Sequence, residues 1–139
     1  IFGAEPGFFE REDGYEGLCS TYGFDFKESL DMTFSVKYDA LAEEKADVIN
    51  VFTTDGRLAT SGAKLLKDDK RYFPDYMCGS LVRKDTLEKY PKLKGILLQM
   101  EGMITDEDMA SLNKQVETDG QEPEEVARGF LSERGLLKE

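Results

Sequence analysis

The chain has 139 residues, of which 40% are hydrophobic and 11% aromatic, and its formal net charge is −11. This composition is enough to bury one core and argues against a disordered chain. The negative charge opposes the positive field that phosphate backbones require, so nucleic acids and anionic membrane surfaces are poor candidate partners. The sequence contains no histidine, the commonest general base and metal ligand, and it indicates neither a metal site nor a cofactor.

The two cysteines, Cys19 and Cys78, lie far apart and neither belongs to a CxxC pair. This spacing argues against zinc-binding and thioredoxin-like proteins. We expect two unpaired, largely buried thiols, and a disulfide stays open as the alternative. No apolar run approaches the roughly 20 residues of a membrane span, and no signal peptide opens the chain. Because residues 1–4 resemble the middle of a strand and lack a methionine, we expect a segment of a longer protein.

The first half of the chain alternates predicted strands and helices. Gly23 is placed to end a helix, and Val36, Ala40 and Leu41, with Tyr38 as a further candidate, form the apolar stripe of another helix. The predicted elements are, in order, a strand (residues 1–4), a turn or short helix (8–14), a helix (15–22), a strand (24–30), a helix within residues 35–46 and a strand (47–53).

The second half becomes helical towards its end. Thr105 and Asp108 have the spacing of a capping box, and Ile96, Leu97 and Met100 are expected to face inward. The predicted elements are a strand (residues 63–66), a solvated loop (67–70), a strand (77–83), a helix capped at residue 85 and running to 90, a helix (93–103), a helix after residue 105 and a helix that begins at Pro123. Strands and helices followed by a helical tail predict an α/β architecture.

One stretch has the features of a ligand-binding edge. From Asp47 an apolar run, predicted to be a central buried strand, leads to Phe52 and a polar Thr-Thr-Asp-Gly turn. Such a strand delivers a ring and several hydrogen-bonding groups to the edge of a sheet. The aromatic segment Tyr72-Phe73-Pro74-Asp75-Tyr76 follows downstream. We therefore expect a ligand to bind at this edge.

The chain also carries an ordered series of short motifs. They are FGAEP (residues 2–6), EREDGY (10–15), YDAL (38–41), TDGR (54–57), LKDDK (66–70), FPDY (73–76), VRKD (82–85), LEKYP (87–91) and ITDE (104–107). Together they resemble the osmoprotectant family of ABC-transporter substrate-binding proteins, which capture glycine betaine, choline, carnitine and related quaternary amines. The resemblance extends over nearly the whole chain, and the ordered series is more specific than any one motif.

The resemblance implies a type II periplasmic-binding-protein fold, an α/β fold whose two lobes close on a ligand at a hinge. Family members are considerably longer, and this chain resembles only their second half. Residues 1–75 would form most of the second lobe, and residues 76–139 a hinge return strand and the C-terminal helical segment of the first lobe. The implied partners are a small quaternary-amine solute, an ABC permease, and the missing N-terminal half or a second copy of the chain. Alone, the chain is expected to fold only marginally as a monomer and to bind weakly or not at all.

The resemblance also implies a binding site. In this family the trimethylammonium group lies in a box of aromatic rings, and an arginine meets the carboxylate of ligands that have one. A quaternary ammonium cannot donate hydrogen bonds, so ring faces supply its attraction at about 0.5 to 2 kcal/mol each. Phe52 falls where the family commonly has a tyrosine, Tyr76 matches a second tyrosine, and Arg11 matches the arginine. The implied ligand-binding residues are Arg11, Phe52, Thr53 and Tyr76.

Each of these residues also has a purely structural interpretation. Phe52 can be a core residue and Tyr76 a packing tyrosine. Arg11 can be a surface ion-pair partner, and Thr53 can bond the backbone of its own turn. We expect Arg57 to be structural as well.

Other functions stay open at this point. With 29 acidic residues some close carboxylate pair is almost inevitable, and no spacing singles out an acid and a base, so we predict no catalytic residue and no enzyme. The alternatives are a domain for another betaine-like solute such as ergothioneine, and a self-associating protein-interaction module. The receptor interpretation predicts an extracytoplasmic location, periplasmic or on the cell surface, with membrane anchoring or fusion to the permease as variants.

Overall fold

A small parallel sheet and seven α-helices make up the computed structural model, which describes residues 1–137. The chain divides into two compact units. The first consists of Ile1–Phe52 and Arg57–Asp75, and the second of Thr53–Gly56 and Tyr76–Glu139.

The sheet belongs to the first unit and has three parallel strands. They are β1 (Phe2–Ala4), β2 (Ser29–Asp31) and β3 (Val48–Ile49), with β1 in the middle. All of β1 is buried, as expected for the middle strand of a parallel sheet. Phe2 is in register with Ser29 on one side and Val48 on the other, so the carboxyl ends of the strands meet at one edge.

The strand predictions are confirmed in part. The strand over residues 1–4 is confirmed, whereas the predicted strand over 24–30 begins only at Ser29. The run after Asp47 was predicted to be the central strand, which is wrong, because β3 spans two residues and lies at the edge of the described sheet. Strand β1 is more fully buried than β3 because it has a neighbouring strand on both sides.

Phe2 lies at the centre of an aromatic core. Its ring centroid is 5.0 Å from that of Phe26 and 5.1 Å from that of Tyr15. Phe8, in helix α1 (Pro6–Glu10), stacks on it at 6.0 Å. Tyr15 begins helix α2 (Tyr15–Tyr22), which ends as predicted at Gly23, where φ is 72°. A positive φ of this kind is the conformation that favours glycine after a helix.

Helix α3 (Phe34–Ala42) turns a different face inward from the predicted one. It buries Lys37, Tyr38 and Ala40, whereas Val36 remains 48% exposed. The apolar stripe predicted through Val36 is therefore wrong at that residue. The helix can bury a lysine because the carboxylate of Glu5 receives its ammonium group at 2.7 Å.

Asp68 fixes the segment that closes the first unit. Its carboxylate accepts hydrogen bonds from the hydroxyl of Tyr22 and, at 2.9 Å each, from the backbone N–H groups of Tyr72 and Phe73. These hydrogen bonds lower the pKa of Asp68, and the bond from Tyr22 makes the largest contribution. Arg57 has the expected structural role, since it donates to the Ser35 carbonyl and to the Asp39 carboxylate.

The second unit is helical. Thr105 caps helix α6 (Asp106–Glu117) with the predicted capping box. Its Oγ1 accepts from the Asp108 N–H at 3.0 Å, and its own N–H donates to the Asp108 carboxylate at 3.1 Å. Arg134, which directly follows helix α7 (Pro123–Glu133), also donates to Asp108, at 3.0 Å, and connects the end of α7 to the start of α6. Val126 is buried. The helices are α4 (Lys84–Lys89), α5 (Leu93–Leu97), α6 (Asp106–Glu117) and α7 (Pro123–Glu133), with a short 3₁₀ turn at Leu98–Met100.

Two predicted strands are wrong. Residues 63–66 and 77–83 form no strand in the part of the chain that the structure describes. A strand requires a neighbour to receive its backbone groups, and within residues 1–137 no backbone hydrogen bond involves residues 77–82.

Several burial predictions are also wrong. Ile96 is 59% and Met100 38% exposed, so neither faces inward. Both cysteines are free thiols as expected, but Cys78 is exposed and Cys19 only partly buried. Ile96, Met100 and Cys78 all belong to the second unit, whose described residues include few buried side chains.

We predict that Asp68→Asn lowers the stability of the fold at neutral pH. The pKa of Asp68 in the folded chain lies below the ordinary value of about 3.9. Its ionised form therefore stabilises the fold above that value, and the contribution is lost as the pH falls through the folded pKa. Urea unfolding should show a lower midpoint for the variant at about pH 7 and a much smaller difference at about pH 2.5.

Asp69→Asn is the matched control, because it removes the same charge from the exposed neighbouring residue. It should change the midpoint much less. Equal effects of the two substitutions at neutral pH would contradict the role assigned to Asp68.

Candidate functional site

The carboxyl edge of the parallel sheet carries several polar and aromatic side chains. Glu5 directly follows β1, and Asn50 directly follows β3. Phe52 comes two residues later and is 46% exposed. In open α/β sheets, ligands bind outside the carboxyl ends of the strands. This edge of the first unit is therefore the best candidate for a binding surface.

A buried ammonium group lies at this edge. The side chain of Lys37 is fully buried, and its Nζ donates to Glu5 Oε1 at 2.7 Å. The other carboxylate oxygen of Glu5 accepts from Asn50 Nδ2 at 2.8 Å. Burial alone would raise the pKa of Glu5, but the hydrogen bonds from Lys37 and Asn50 outweigh it and the pKa is lowered. The Glu5 carboxylate is thus held in its charged form.

Three aromatic rings surround the same ammonium group. Lys37 Nζ lies 4.3 Å from the ring centroid of Phe34, 5.8 Å from that of Tyr38 and 5.9 Å from that of Phe52. These distances are within the range of cation–π attraction, which reaches to about 6 Å. The first unit therefore already binds one cation against Phe52.

Arg11 was predicted to meet a ligand carboxylate. In the structure its guanidinium forms a two-point contact with Asp13, with Nε to Oδ1 at 2.7 Å and Nη2 to Oδ2 at 2.5 Å. The two side chains are similarly exposed, at 45% and 46%. A carboxylate that bound Arg11 would have to compete with Asp13.

Thr53 begins the short turn that belongs to the second unit. Its hydroxyl donates to Asp106 Oδ2 at 2.8 Å, and Asn113 Nδ2 donates to the Thr54 carbonyl at 2.8 Å. At Gly56 a Cβ atom would lie 2.5 Å from the Lys114 backbone nitrogen, so this close approach requires glycine. The Thr53 hydroxyl thus donates to α6 and not to the backbone of its own turn, which corrects the structural interpretation of Thr53.

Tyr76 is 56% exposed and follows the Pro74-Asp75 segment. It belongs to the second unit with Thr53, whereas Arg11 and Phe52 belong to the first. The ligand-binding roles of all four residues stay predictions. Within the first unit, Phe52 lies near the Lys37 ammonium group together with the rings of Phe34 and Tyr38.

No site role was predicted from the sequence for Lys37, Glu5 or Asn50. The position of Glu5 directly after the first predicted strand was an available signal, because polar residues that follow parallel strands gather at one edge. Asn50 lay inside the run that was predicted to be a strand through residue 53. Lys37 gave no signal, since a lysine beside an apolar helical stripe is normally exposed.

No metal site or membrane span was found in the described part of the chain. Within residues 1–137 no group of three or more cysteine, aspartate or glutamate side chains is arranged to hold a metal ion. None of the described helices is both long enough and apolar enough to cross a membrane.

Comparison with known proteins gives a consistent result. The family model for the substrate binding domain of ABC-type glycine betaine transport systems matches residues 1–133. The chain is 42% identical over 135 residues to the ergothioneine transport permease/ergothioneine binding protein EgtU of Helicobacter pylori, covering 97% of this chain and 24% of that protein. It is 37% identical over 137 residues to the carnitine transport binding protein OpuCC of Listeria monocytogenes, covering 98% of this chain and 44% of that protein.

A solved structure of a glycine betaine/carnitine/choline ABC transporter has a TM-score of 0.78 to this chain at 38% identity. The match covers 97% of this chain and 50% of that one. The chain therefore spans half or less of the length of each of these relatives. The likeness confirms the predicted fold class, an α/β, type II periplasmic-binding-protein-like fold that is present in part.

Proposed function

Because this chain belongs to the family of substrate-binding domains of ABC-type glycine betaine transport systems, we propose that it forms part of the solute-binding component of an ABC importer. Its solute would be a quaternary amine such as glycine betaine, carnitine or choline. The component would capture the solute and deliver it to a permease, and no chemistry would be done on the solute. The proposal includes no catalytic residue.

The observation that supports this proposal most strongly is the setting of Phe52. Its ring is 46% exposed and lies at the carboxyl edge of a parallel sheet, where α/β proteins bind ligands. Phe34 and Tyr38 contact the same Lys37 ammonium group, so the surroundings are suited to cations. A quaternary ammonium group would use the exposed part of the Phe52 ring.

The other three site residues are proposed with different support. Tyr76 is exposed enough to offer its ring to a solute. Arg11 has the planar fork that suits a carboxylate, and a ligand carboxylate would have to compete with Asp13 for it. Thr53 has the weakest support, since its hydroxyl already donates to Asp106.

A second candidate solute is ergothioneine, another betaine. The support is that the Helicobacter pylori relative, 42% identical to this chain, is named as an ergothioneine transport and binding protein. That name also joins a permease with a binding protein, which supports the variant in which the receptor is fused to its permease. Either arrangement would place the chain outside the cytoplasm, in the periplasm or on the cell surface.

The proposal predicts binding of quaternary amines that depends on the exposed rings. Glycine betaine, carnitine, choline and ergothioneine would be titrated by calorimetry into the completed protein, defined as this chain joined to the segment that its relatives carry and this chain does not match. Phe52→Ala and Tyr76→Ala should each weaken binding roughly 2- to 30-fold, since one ring supplies about 0.5 to 2 kcal/mol.

Two matched controls separate ring contact from general damage. Tyr90 is 54% exposed in the second unit, close to the exposure of Tyr76, and Phe24 is 40% exposed in the first unit. Tyr90→Ala and Phe24→Ala should leave the affinities near those of the unaltered protein. Failure of the completed protein to bind any of the four solutes would overturn the proposed function.

We further propose that the second unit is completed by the part of its relatives that this chain does not match. Met77 is 90% and Leu81 102% exposed, and the backbone of residues 77–82 makes no backbone hydrogen bond within residues 1–137. An extended apolar segment with open backbone groups is a template for pairing with another strand. The partial coverage of the relatives supports the part that this chain does not match as the source of that strand.

Sedimentation tests this proposal. This chain alone should associate in a concentration-dependent way, whereas the completed protein should be a monomer with a cooperative melt. Leu81→Ser should reduce the association of the isolated chain, and Leu66→Ser, at a residue 64% exposed in the first unit, should not. A compact, stable monomer of the isolated chain would contradict the proposal, and so would a dimer that persists in the completed protein.

A further inference from the structure

A basic loop, residues 64–71, lies on the first unit outside the candidate site. It carries four cations in a chain whose net charge is −11. All four are exposed, and among the described residues none of them forms an ion pair, whereas most of the other basic side chains do. The four are Lys64, Lys67, Lys70 and Arg71. The basic loop is therefore an uncompensated local positive charge on an acidic protein.

The basic loop is held in a fixed shape. The carboxylate of Asp68 accepts two backbone N–H groups just after the loop at 2.9 Å each, so Asp69 is the acid that remains exposed beside the cations. Arg71 has a φ of 53°, a left-handed conformation that side chains other than glycine rarely adopt. Such a conformation persists where the surrounding structure holds it. Lys70 Nζ donates to the Thr21 carbonyl at 2.5 Å, which fastens the loop to the end of α2.

Two apolar side chains lie between the first two cations of the loop. Leu65 is 54% and Leu66 64% exposed. The first unit has its own core at Phe2, and neither leucine belongs to it. Adjacent exposed apolar side chains that are bordered by charged ones mark a contact surface.

Cations beside exposed leucines are typical of a surface that binds an anionic bilayer. Lysine and arginine are attracted to the phosphates of the headgroups, and leucines enter the boundary between headgroups and acyl chains. An acidic protein surface would also attract the cations, but it would need an apolar recess shaped to two adjacent leucines. A bilayer takes up the leucines without any such shape complementarity, so the observations favour a lipid surface.

The overall negative charge does not prevent this contact. It opposes the long-range attraction of the chain to an anionic surface, as the composition predicts. At physiological ionic strength, however, exposed charges separated by more than about 8 Å are largely screened from each other. The charges that touch the surface then decide the interaction, and in the basic loop these are mostly positive.

We propose that the basic loop is a membrane-contact surface, which binds anionic phospholipid headgroups through its cations and inserts Leu65 and Leu66 between them. The inference goes beyond the proposed function and does not depend on the identity of the solute. Such a contact is weak, and it keeps the first unit close to the bilayer in which an ABC permease lies.

Cosedimentation with lipid vesicles tests the proposal on the completed protein. It should bind vesicles of phosphatidylglycerol and phosphatidylcholine in equal parts, and not vesicles of phosphatidylcholine alone. Lys64→Gln together with Lys67→Gln should weaken binding roughly 10- to 30-fold, since two charges at the lipid surface are lost. Leu65→Ser should weaken it roughly 5-fold or more, since the apolar contact is lost.

A matched control removes two lysines from the second unit. Lys92 and Lys94 are also exposed and form no ion pair in the part of the chain that the structure describes. Lys92→Gln together with Lys94→Gln should change vesicle binding little. All variants should keep the melting temperature of the unaltered protein, because the substituted side chains are exposed.

Three results would overturn the proposal. The first is no binding to the mixed vesicles, and the second is an equal loss from the control pair, which would indicate a general effect of charge. The third is a loss in the Lys64 and Lys67 variant with none in Leu65→Ser, which would indicate an acidic protein surface as the partner. Failure to bind any quaternary amine would reject the proposed function and leave the vesicle result unaffected.

Discussion

The burial of one ammonium group constrains the edge of the sheet in the first unit. Removing a lysine from water is costly unless a carboxylate and further hydrogen bonds receive it. Lys37 finds this arrangement because α3 lies where Glu5 follows β1 and Asn50 follows β3. One buried charge thus ties together a helix and two strands. Phe52 emerges from this network, which gives the candidate binding edge its fixed geometry.

The two units have different sources of order. The first is organised around the aromatic core at Phe2 and the network at Lys37. The second relies on the capping box at Thr105 and the ion pair between Arg134 and Asp108, while much of its apolar surface is exposed. Exposed apolar residues of this kind mark surfaces that another part of a protein covers. The match of this chain to half or less of its relatives is consistent with that interpretation.

Local signals predicted the helices well and the strands poorly. Gly23 and the Thr105 capping box fixed helix ends because glycine and capping residues act on the backbone next to them. The segments over residues 63–66 and 77–83 have apolar patterns, but a strand exists only where another strand accepts its backbone groups. Sequence alone does not show whether that partner is present. The predicted relation to quaternary-amine receptors is confirmed by the family match over residues 1–133.

A residue of the candidate site could be predicted from the sequence only where its type and its neighbours in the chain indicate a role. Phe52 was predicted because its ring follows an apolar run in the sequence. Lys37 was not predicted because its burial depends on Glu5, which lies 32 residues away.

The most direct test of the account is a double-mutant cycle on the free energy of unfolding of the completed protein, with Lys37→Met, Glu5→Gln and both together. We predict that the double variant loses at least about 1 kcal/mol less than the sum of the single variants. Losses that add to within about 0.3 to 0.5 kcal/mol would contradict the central role of this pair.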